Sequence, residues 1–196
     1  MVKNFKNEIE IEIPENVDVT LKDKIITIKG DKGELTKDLS HARQIDISLD
    51  GKIVRLHSYF SRTSTIATMG TLNSIINNAI IGVTEGYRYR MMIAYSHFPI
   101  TVEPPKTKKG HDAIQILNFQ GERSPRTTYT AGPNISIKAD KDEVTVEGVD
   151  KEAVGQTCAN IQKRCRIRRK DSRVFQDGIY VYSKEYSTGK VLWRIK

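Results

Sequence analysis

Between Lys163 and Arg173 stand seven cations (Lys163, Arg164, Arg166, Arg168, Arg169, Lys170, Arg173) against one acid, Asp171. Ammonium and guanidinium groups at this density do one kind of chemistry well: they bind polyanions. Each cation that meets a phosphate releases a condensed counterion, which drives sequence-independent association with nucleic acid. Arginine adds bidentate geometry toward a phosphate or a guanine edge. Directly downstream, Phe175-Gln176-Asp177-Gly178-Ile179-Tyr180-Val181 has the composition of an ordered element. The basic run is therefore expected on a folded body. A solvated helix end would carry the same charge, and charge alone leaves those two readings level.

Other chemistries lack their residues. The chain has no Walker-type loop, no HExxH, no CxxC and no Gly-x-Ser-x-Gly, and His41, His57, His97 and His111 show no ligand spacing. No catalytic residue, metal site or cofactor is expected. Cys158 and Cys165 lie in a helical pattern, seven residues apart, which implies a rise of about 10.5 Å. That is too far for a disulfide, so both read as buried thiols of a reducing compartment, and the cytosol is the expected location. No apolar run reaches the length of a membrane span, and MVKNFKNEIEIEI lacks the apolar core of a secretory signal.

The elements that must carry the basic run emerge from charge and periodicity. Residues 1–86 hold 11 Lys/Arg and 12 Asp/Glu, whereas residues 87–196 hold 21 and 12. A neutral half joined to a basic half predicts that one domain does most of the anion binding. In the first half Ile9-Ile11-Ile13, Val17-Val19-Leu21, Ile25–Ile28, Gly33–Leu39, Ile45-Ile47-Leu49 and Ile53–Leu56 read as strands. Asp50-Gly51 is the strongest hairpin signal. A helical period runs from Ile66 through Met69, Leu72 and Ile76 to Val83, with Ser61, Thr63 or Ser64 as its cap. In the second half Tyr87–Tyr95, Ile100–Val102, Ala113–Phe119, Ile135-Ile137 and Val144-Val146 read as strands. Glu103–Gly110 reads as a stiff basic loop and Gly121–Pro133 as a polar connection. Asp150 caps a helix striped by Val154, Cys158, Ile161 and Cys165.

A shift of 90 residues lays Gln44-Ile45-Asp46-Ile47 on Asn134-Ile135-Ser136-Ile137, and Val54 and Leu56 on Val144 and Val146. A single helix follows each hairpin, so the chain reads as a duplication. The fold class expected is α+β: two duplicated domains, each a mainly antiparallel sheet with one packed helix. The boundaries expected are 1–86, 87–182 (basic, the main anion-binding domain) and a tail, 183–196.

The motifs Gly82-Val83-Thr84 with Gly86-Tyr87-Arg88-Tyr89, Tyr95-Ser96-His97-Phe98-Pro99-Ile100, Asn118-Phe119 with Gly121-Glu122, and Asp171, Arg173, Phe175 and Asp177–Val181 go further. Together they resemble the L-six family of large-subunit ribosomal proteins (L-nine in eukaryotes), in its archaeal and eukaryotic branch. The resemblance runs from Ile13 to Val181. It implies a structural, non-catalytic component of the cytosolic large subunit, whose later domain grips ribosomal RNA close to the sarcin–ricin loop. It also implies an earlier domain near the stalk base, neighbouring ribosomal proteins as partners, translational GTPases acting nearby, and neither DNA nor membrane as a partner. One departure is Asp31, where relatives usually carry proline. A two-domain protein–protein adaptor and an extraribosomal RNA-binding protein are the rival readings.

The residues expected at RNA are Lys106, Lys108, Lys109, Arg123 and Arg126 in two loops, and Arg166, Arg168, Arg169, Lys170, Arg173, Gln176, Gly178 and Tyr180 along the basic run. Structured RNA is read by phosphates, 2′-hydroxyls and shape, which suits spaced cations on a rigid element. Phe175 and Tyr180 are expected to pack in the core, with base stacking as the alternative.

Overall fold

The computed structural model describes residues 6–59, 62–108, 111–168, 170–171 and 173–195, with the backbone alone for 104–108 and 111–112. The chain divides into two compact units, Met1–Glu85 and Gly86–Lys196.

Unit 1 contains strands β1 (Lys6–Glu12), β2 (Asp18–Lys22), β3 (Ile25–Gly30), β4 (Gly33–Asp38), β5 (Asp46–Asp50) and β6 (Ile53–Tyr59), then helix α1 (Thr63–Thr84). The strands form two antiparallel sheets, ordered β1-β6-β5 and β2-β3-β4. Alternation explains the strands, because every second side chain (Ile11, Ile26, Ile28, Val54, Leu56) is buried. Gly51, at φ 61°, makes the β5–β6 turn in a region that favours glycine. Helix α1 buries Met69, Leu72, Ile76 and Val83 at helical spacing and packs on strands of both sheets, β1, β3, β4 and β6. Its cap position is Arg62, with no side-chain capping bond. Thr63 and Ser64 lie already inside the first turn, so neither caps the helix as expected; Ser61 falls outside the described residues.

Unit 2 repeats the arrangement with β7 (Tyr87–Ala94), β8 (Thr101–Lys108), β9 (His111–Leu117), a 3-10 turn at Phe119–Gly121, β10 (Arg126–Tyr129), β11 (Ser136–Ala139), β12 (Glu143–Gly148) and α2 (Lys151–Arg164). Strand order β11-β12-β7 matches β5-β6-β1, and β8-β9-β10 matches β2-β3-β4. The register matches as well: Ile47 faces Leu56 in unit 1, and Ile137 faces Val146 in unit 2. Helix α2, capped by the Asp150 carboxylate accepting from Glu152 N–H at 3.0 Å, again packs on both sheets, through β7, β10, β12 and β13 (Gly178–Tyr186). The fold is α+β and duplicated, with the strands of each copy shared between two small sheets rather than gathered in one.

Three stretches differ from the expectation. Glu103–Lys108 is not a loop; it continues β8, an edge strand of the β8-β9-β10 sheet. A proline on an edge costs no ladder bond, and the register shifts between Glu103 and Lys106 where Pro104 and Pro105 stand. Gly121–Pro133 contains β10. Residues 183–194 are not a tail, for β13 pairs along the whole of β7 and β14 (Val191–Arg194) pairs with β13. Unit 2's larger sheet thus has five strands, β11-β12-β7-β13-β14, where its counterpart in unit 1 has three.

Candidate nucleic-acid interface

The basic run begins in the last turn of α2, where Lys163 and Arg164 complement the negative end of the helix dipole. A helix leaves its final carbonyls unpaired. Here Arg126, from β10, reaches across: its Nη1 donates to Arg164 C=O at 2.9 Å and to Arg166 C=O at 3.3 Å. The same guanidinium lies 4.2 Å over the Phe119 ring. Its Nε donates to Glu122 Oε2 at 2.7 Å, and Nη2 bonds the other carboxylate oxygen. Arg126 holds the Glu122 carboxyl below its usual range, chiefly by that hydrogen bond. The guanidinium is thus engaged within the protein on several sides, while the side chain stays 21% accessible. Arg126, expected at RNA, fastens the start of the basic segment to the 3-10 turn and also lines the first of the two clefts formed there.

The far end of the segment is fastened too. The buried Asp177 carboxylate accepts the Ser96 N–H at 2.9 Å. Between these anchors Val174 and Phe175 N–H donate to Asp171 C=O, and Gln176 Nε2 donates to Arg173 C=O at 3.2 Å. A loop tied at both ends and across its middle presents its cations in a fixed spacing.

Those cations face outward. Lys163, Arg164, Arg166, Arg168, Lys170 and Arg173 are all exposed. Arg173 pairs with Asp171 at 3.3 Å while its side chain stays 90% accessible. Among the described residues Arg166, Arg168 and Lys170 form no ion pair. Lys163, Arg164, Arg166, Arg168 and Lys170 line an open cleft of about 650 Å³ together with Ser124, Pro125 and Arg126. A second cleft of about 690 Å³ shares Lys163, Arg166 and Lys170, and adds Phe175, Gln176 and Tyr180. The first suits a phosphate chain; the second offers ring faces beside the same charges.

Phe175 and Tyr180 are exposed rather than packed in the core. Lys170 Nζ sits 4.7 Å over the Phe175 ring, and Tyr180 donates its hydroxyl to Gln176 C=O at 3.3 Å. Gly178 explains how Tyr180 lies. The two residues share one face of β13, and a Cβ at Gly178 would stand 2.7–2.9 Å from the tyrosine ring and hydroxyl. The ring lies flat where a side chain would be, which makes Gly178 a seat for Tyr180 rather than a turn at RNA.

The structure gathers Arg126, Arg166, Arg168, Lys170, Gln176, Gly178 and Tyr180 into these two clefts, with Arg173 on the same loop. Arg123 is exposed beside Glu122 and lines neither. Lys106 and Lys108 lie near the β8–β9 turn, and Arg126 pairs with Ile116 at the other end of β9. Their partners Ala113 and His111 lie three and five strand residues from Ile116, about 10 and 17 Å. Lys109 and Arg169 fall outside the described residues. Lys163, Arg164 and Phe175 were not among the expected contacts, yet they line the clefts. Their signal was present in the charge run itself and in Phe175, an aromatic with no alternating apolar partner.

Both cysteines are buried, and burial pushes each thiol up to about 12. Neither is poised for nucleophilic chemistry, since a reactive cysteine needs a lowered pKa. Among the described residues no group of His, Cys, Asp and Glu could hold a metal ion. Helix α1 is long and apolar enough to cross a membrane by length and composition. Its buried stripe on both sheets of unit 1 gives it the role of a core helix.

Comparison with known proteins agrees with this division. The family model described as ribosomal protein L6 matches residues 13–86 and 106–178, one stretch in each unit. The large ribosomal subunit protein uL6 of Desulfurococcus amylolyticus is 41% identical over 184 residues, covering 94% of this chain and 98% of that protein. The uL6 proteins of Haloarcula marismortui and Saccharolobus solfataricus are each 44% identical, over 176 and 177 residues, with 90% of this chain covered in both cases and 95% and 94% of the relatives.

Proposed function

From the premise that this chain belongs to the ribosomal protein L6 family, we propose that it is a structural constituent of the large ribosomal subunit, held on large-subunit ribosomal RNA by unit 2. It is not an enzyme. The observation that carries the reading is the set of outward cations Lys163, Arg164, Arg166, Arg168 and Lys170, on a segment tied down by Arg126 at one end and Asp177 at the other. Rigid spacing lets the cations meet phosphates without ordering themselves at the moment of binding, which spares entropy. Phe175 and Tyr180 supply faces on which a base turned out of a loop stacks.

At finer grain, unit 2 lies on RNA close to the sarcin–ricin loop and unit 1 lies toward the stalk base, in the cytosolic ribosome. The pair thereby supports the surface where translational GTPases act. The uneven charge of the two halves supports this assignment of roles. Filter binding of the full chain to isolated large-subunit RNA across a salt series tests it. Five phosphate contacts predict a log–log slope near −4, at about −0.7 to −0.9 per contact. In sucrose gradients at high salt the chain is expected to stay with the large subunit. Release as a free protein would favour an adaptor and sink the reading.

A further inference from the structure

The last hairpin carries a surface outside both basic clefts. Strand β14 is the outer strand of the five-stranded sheet, and among the described residues no strand pairs with its far edge. The hairpin begins where the family match ends, at Gly178. All of β14 is exposed, and Val191, Leu192, Trp193 and the following Ile195 are each 44–56% accessible. Soluble proteins usually blunt such an edge with charge. Strand β1, on the corresponding sheet of unit 1, does so with Lys6, Glu8, Glu10 and Glu12 at alternate positions. Strand β14 instead has aliphatic and aromatic side chains on both faces.

Its backbone is ready for a partner. Ile195 N–H donates inward to Tyr182 C=O at 2.9 Å, so alternation turns the N–H and C=O of the adjacent Arg194 outward, and Leu192 is the extra residue of a bulge between the pairs Trp193–Lys184 and Val191–Glu185. The charge around the edge has one sign. Glu185, the only acid from Gly178 to Ile195, is buried, accepts from Ser183 Oγ at 2.7 Å and lies 3.5 Å from Arg90 Nε. Lys184, Lys190 and Arg194 remain, with Lys184 Nζ 5.5 Å from the Trp193 ring.

We infer that β14 takes an extended, acidic segment of a neighbouring protein as an added strand. The outward backbone groups would form the ladder, and alternate side chains of the segment would cover Trp193 on one face and Val191 on the other, the faces of their partners Lys184 and Glu185. Acidic residues at its flanks would meet Lys190 and Arg194. The aliphatic chains of Val191, Leu192 and Ile195 have no ring face for a base, and a row of alternating donors and acceptors matches a peptide rather than a phosphate chain. That favours protein over RNA here.

The test puts p-benzoylphenylalanine in place of Leu192 in the full chain, irradiates intact cells, and sequences whatever becomes joined to position 192. The expected conjugate is a polypeptide stretch of net negative charge with alternating apolar residues. It should fall at least fivefold when Lys190→Glu and Arg194→Glu are added, in a chain whose melting profile is unchanged. A conjugate with RNA, one with a basic polypeptide, one indifferent to the charge reversal, or none at all overturns the inference. Because irradiation precedes fractionation, these outcomes are independent of whether the chain sediments with the large subunit.

Discussion

The two units share one strand order and one register, yet they spend their helices differently. Helix α1 carries no charged residue from Thr63 to Thr84. Its exposed hydroxyls are turned inward onto the preceding turn, with Thr68, Thr71 and Ser74 donating to the carbonyls of Ser64, Ala67 and Gly70. Helix α2 is shorter, opens on an acid-capped turn and ends in Lys163 and Arg164. The segments beyond the two helices differ most. Unit 1's helix ends at Thr84, one residue before the unit does, whereas unit 2's runs into the cation-lined loop and a hairpin that widens its sheet. Each unit also uses cations as clamps on backbone, and in unit 1 Lys32 Nζ donates to Glu85 C=O at the end of α1. In unit 1 Lys24 Nζ donates to the carbonyls of Ala42 and Ile45 at 3.0 and 2.9 Å. In unit 2 Arg126 does the same for Arg164 and Arg166. The lesson is that a common scaffold needs internal cations for its own stability, and only cations added beyond that requirement are free for RNA.

The largest expected effect separates free cations from the rest. Reversing Arg166, Arg168 and Lys170 to Glu should weaken binding to large-subunit RNA by about a hundredfold or more, each lost phosphate contact contributing about 1 kcal/mol before repulsion is added. The matching triple reversal of Lys22, Lys29 and Lys52 in unit 1 should change it less than about threefold. Equal losses would erase the distinction between units.

The clamps come next, read by urea denaturation. Arg126→Met should destabilise unit 2 by about 1–3 kcal/mol, because the helix-end carbonyls and Glu122 lose a charged partner. Trp193, the chain's one tryptophan, reports that unit by fluorescence. Lys24→Met should lower the stability of unit 1 by about 1–2 kcal/mol and leave the Trp193 transition in place. A smaller effect is expected of Gly178→Ala, about 1 kcal/mol from displacing the Tyr180 ring, with a modest loss of RNA affinity measured in the same filter assay.

The last contrast appears only in alkali. The thiols of Cys158 and Cys165 are held up to about 12 in the fold and return to about 8.5 when it opens. Above that lower value the unfolded chain has fewer bound protons than the folded one, so stability falls as pH rises from about 9 to 12. Denaturation at pH 8 and 10 should show this loss in unit 2, where both cysteines lie, and Cys158→Ala should reduce it. At pH 8 both thiols should resist alkylation until urea opens the unit.

Much of this was legible in the residues. The 90-residue repeat predicted the two copies because alternating Ile45-Ile47 and Ile135-Ile137 are strand signals that need no tertiary knowledge, and the register pairs carry the same shift. The split of each copy into two sheets depends on which non-adjacent strands meet, and local pattern is silent on that. Strand β13 was hidden because its alternation is interrupted by irregularities at Val181/Ser183 and Lys184/Glu185. The basic run announced the site, but charge could not say which cations were already engaged: Arg126 bonds residues 38 and 40 positions away. Nor could composition show that Phe175 and Tyr180 stand at the surface, since the same residues would serve a core.

An electron cryo-microscopy map of the assembled large subunit addresses the central claim most directly. It should show ribosomal RNA phosphates within salt-bridge distance of Arg166, Arg168 and Lys170, in the cleft beside Ser124. Those side chains pointing into open solvent, with RNA lying against unit 1 instead, would contradict the account.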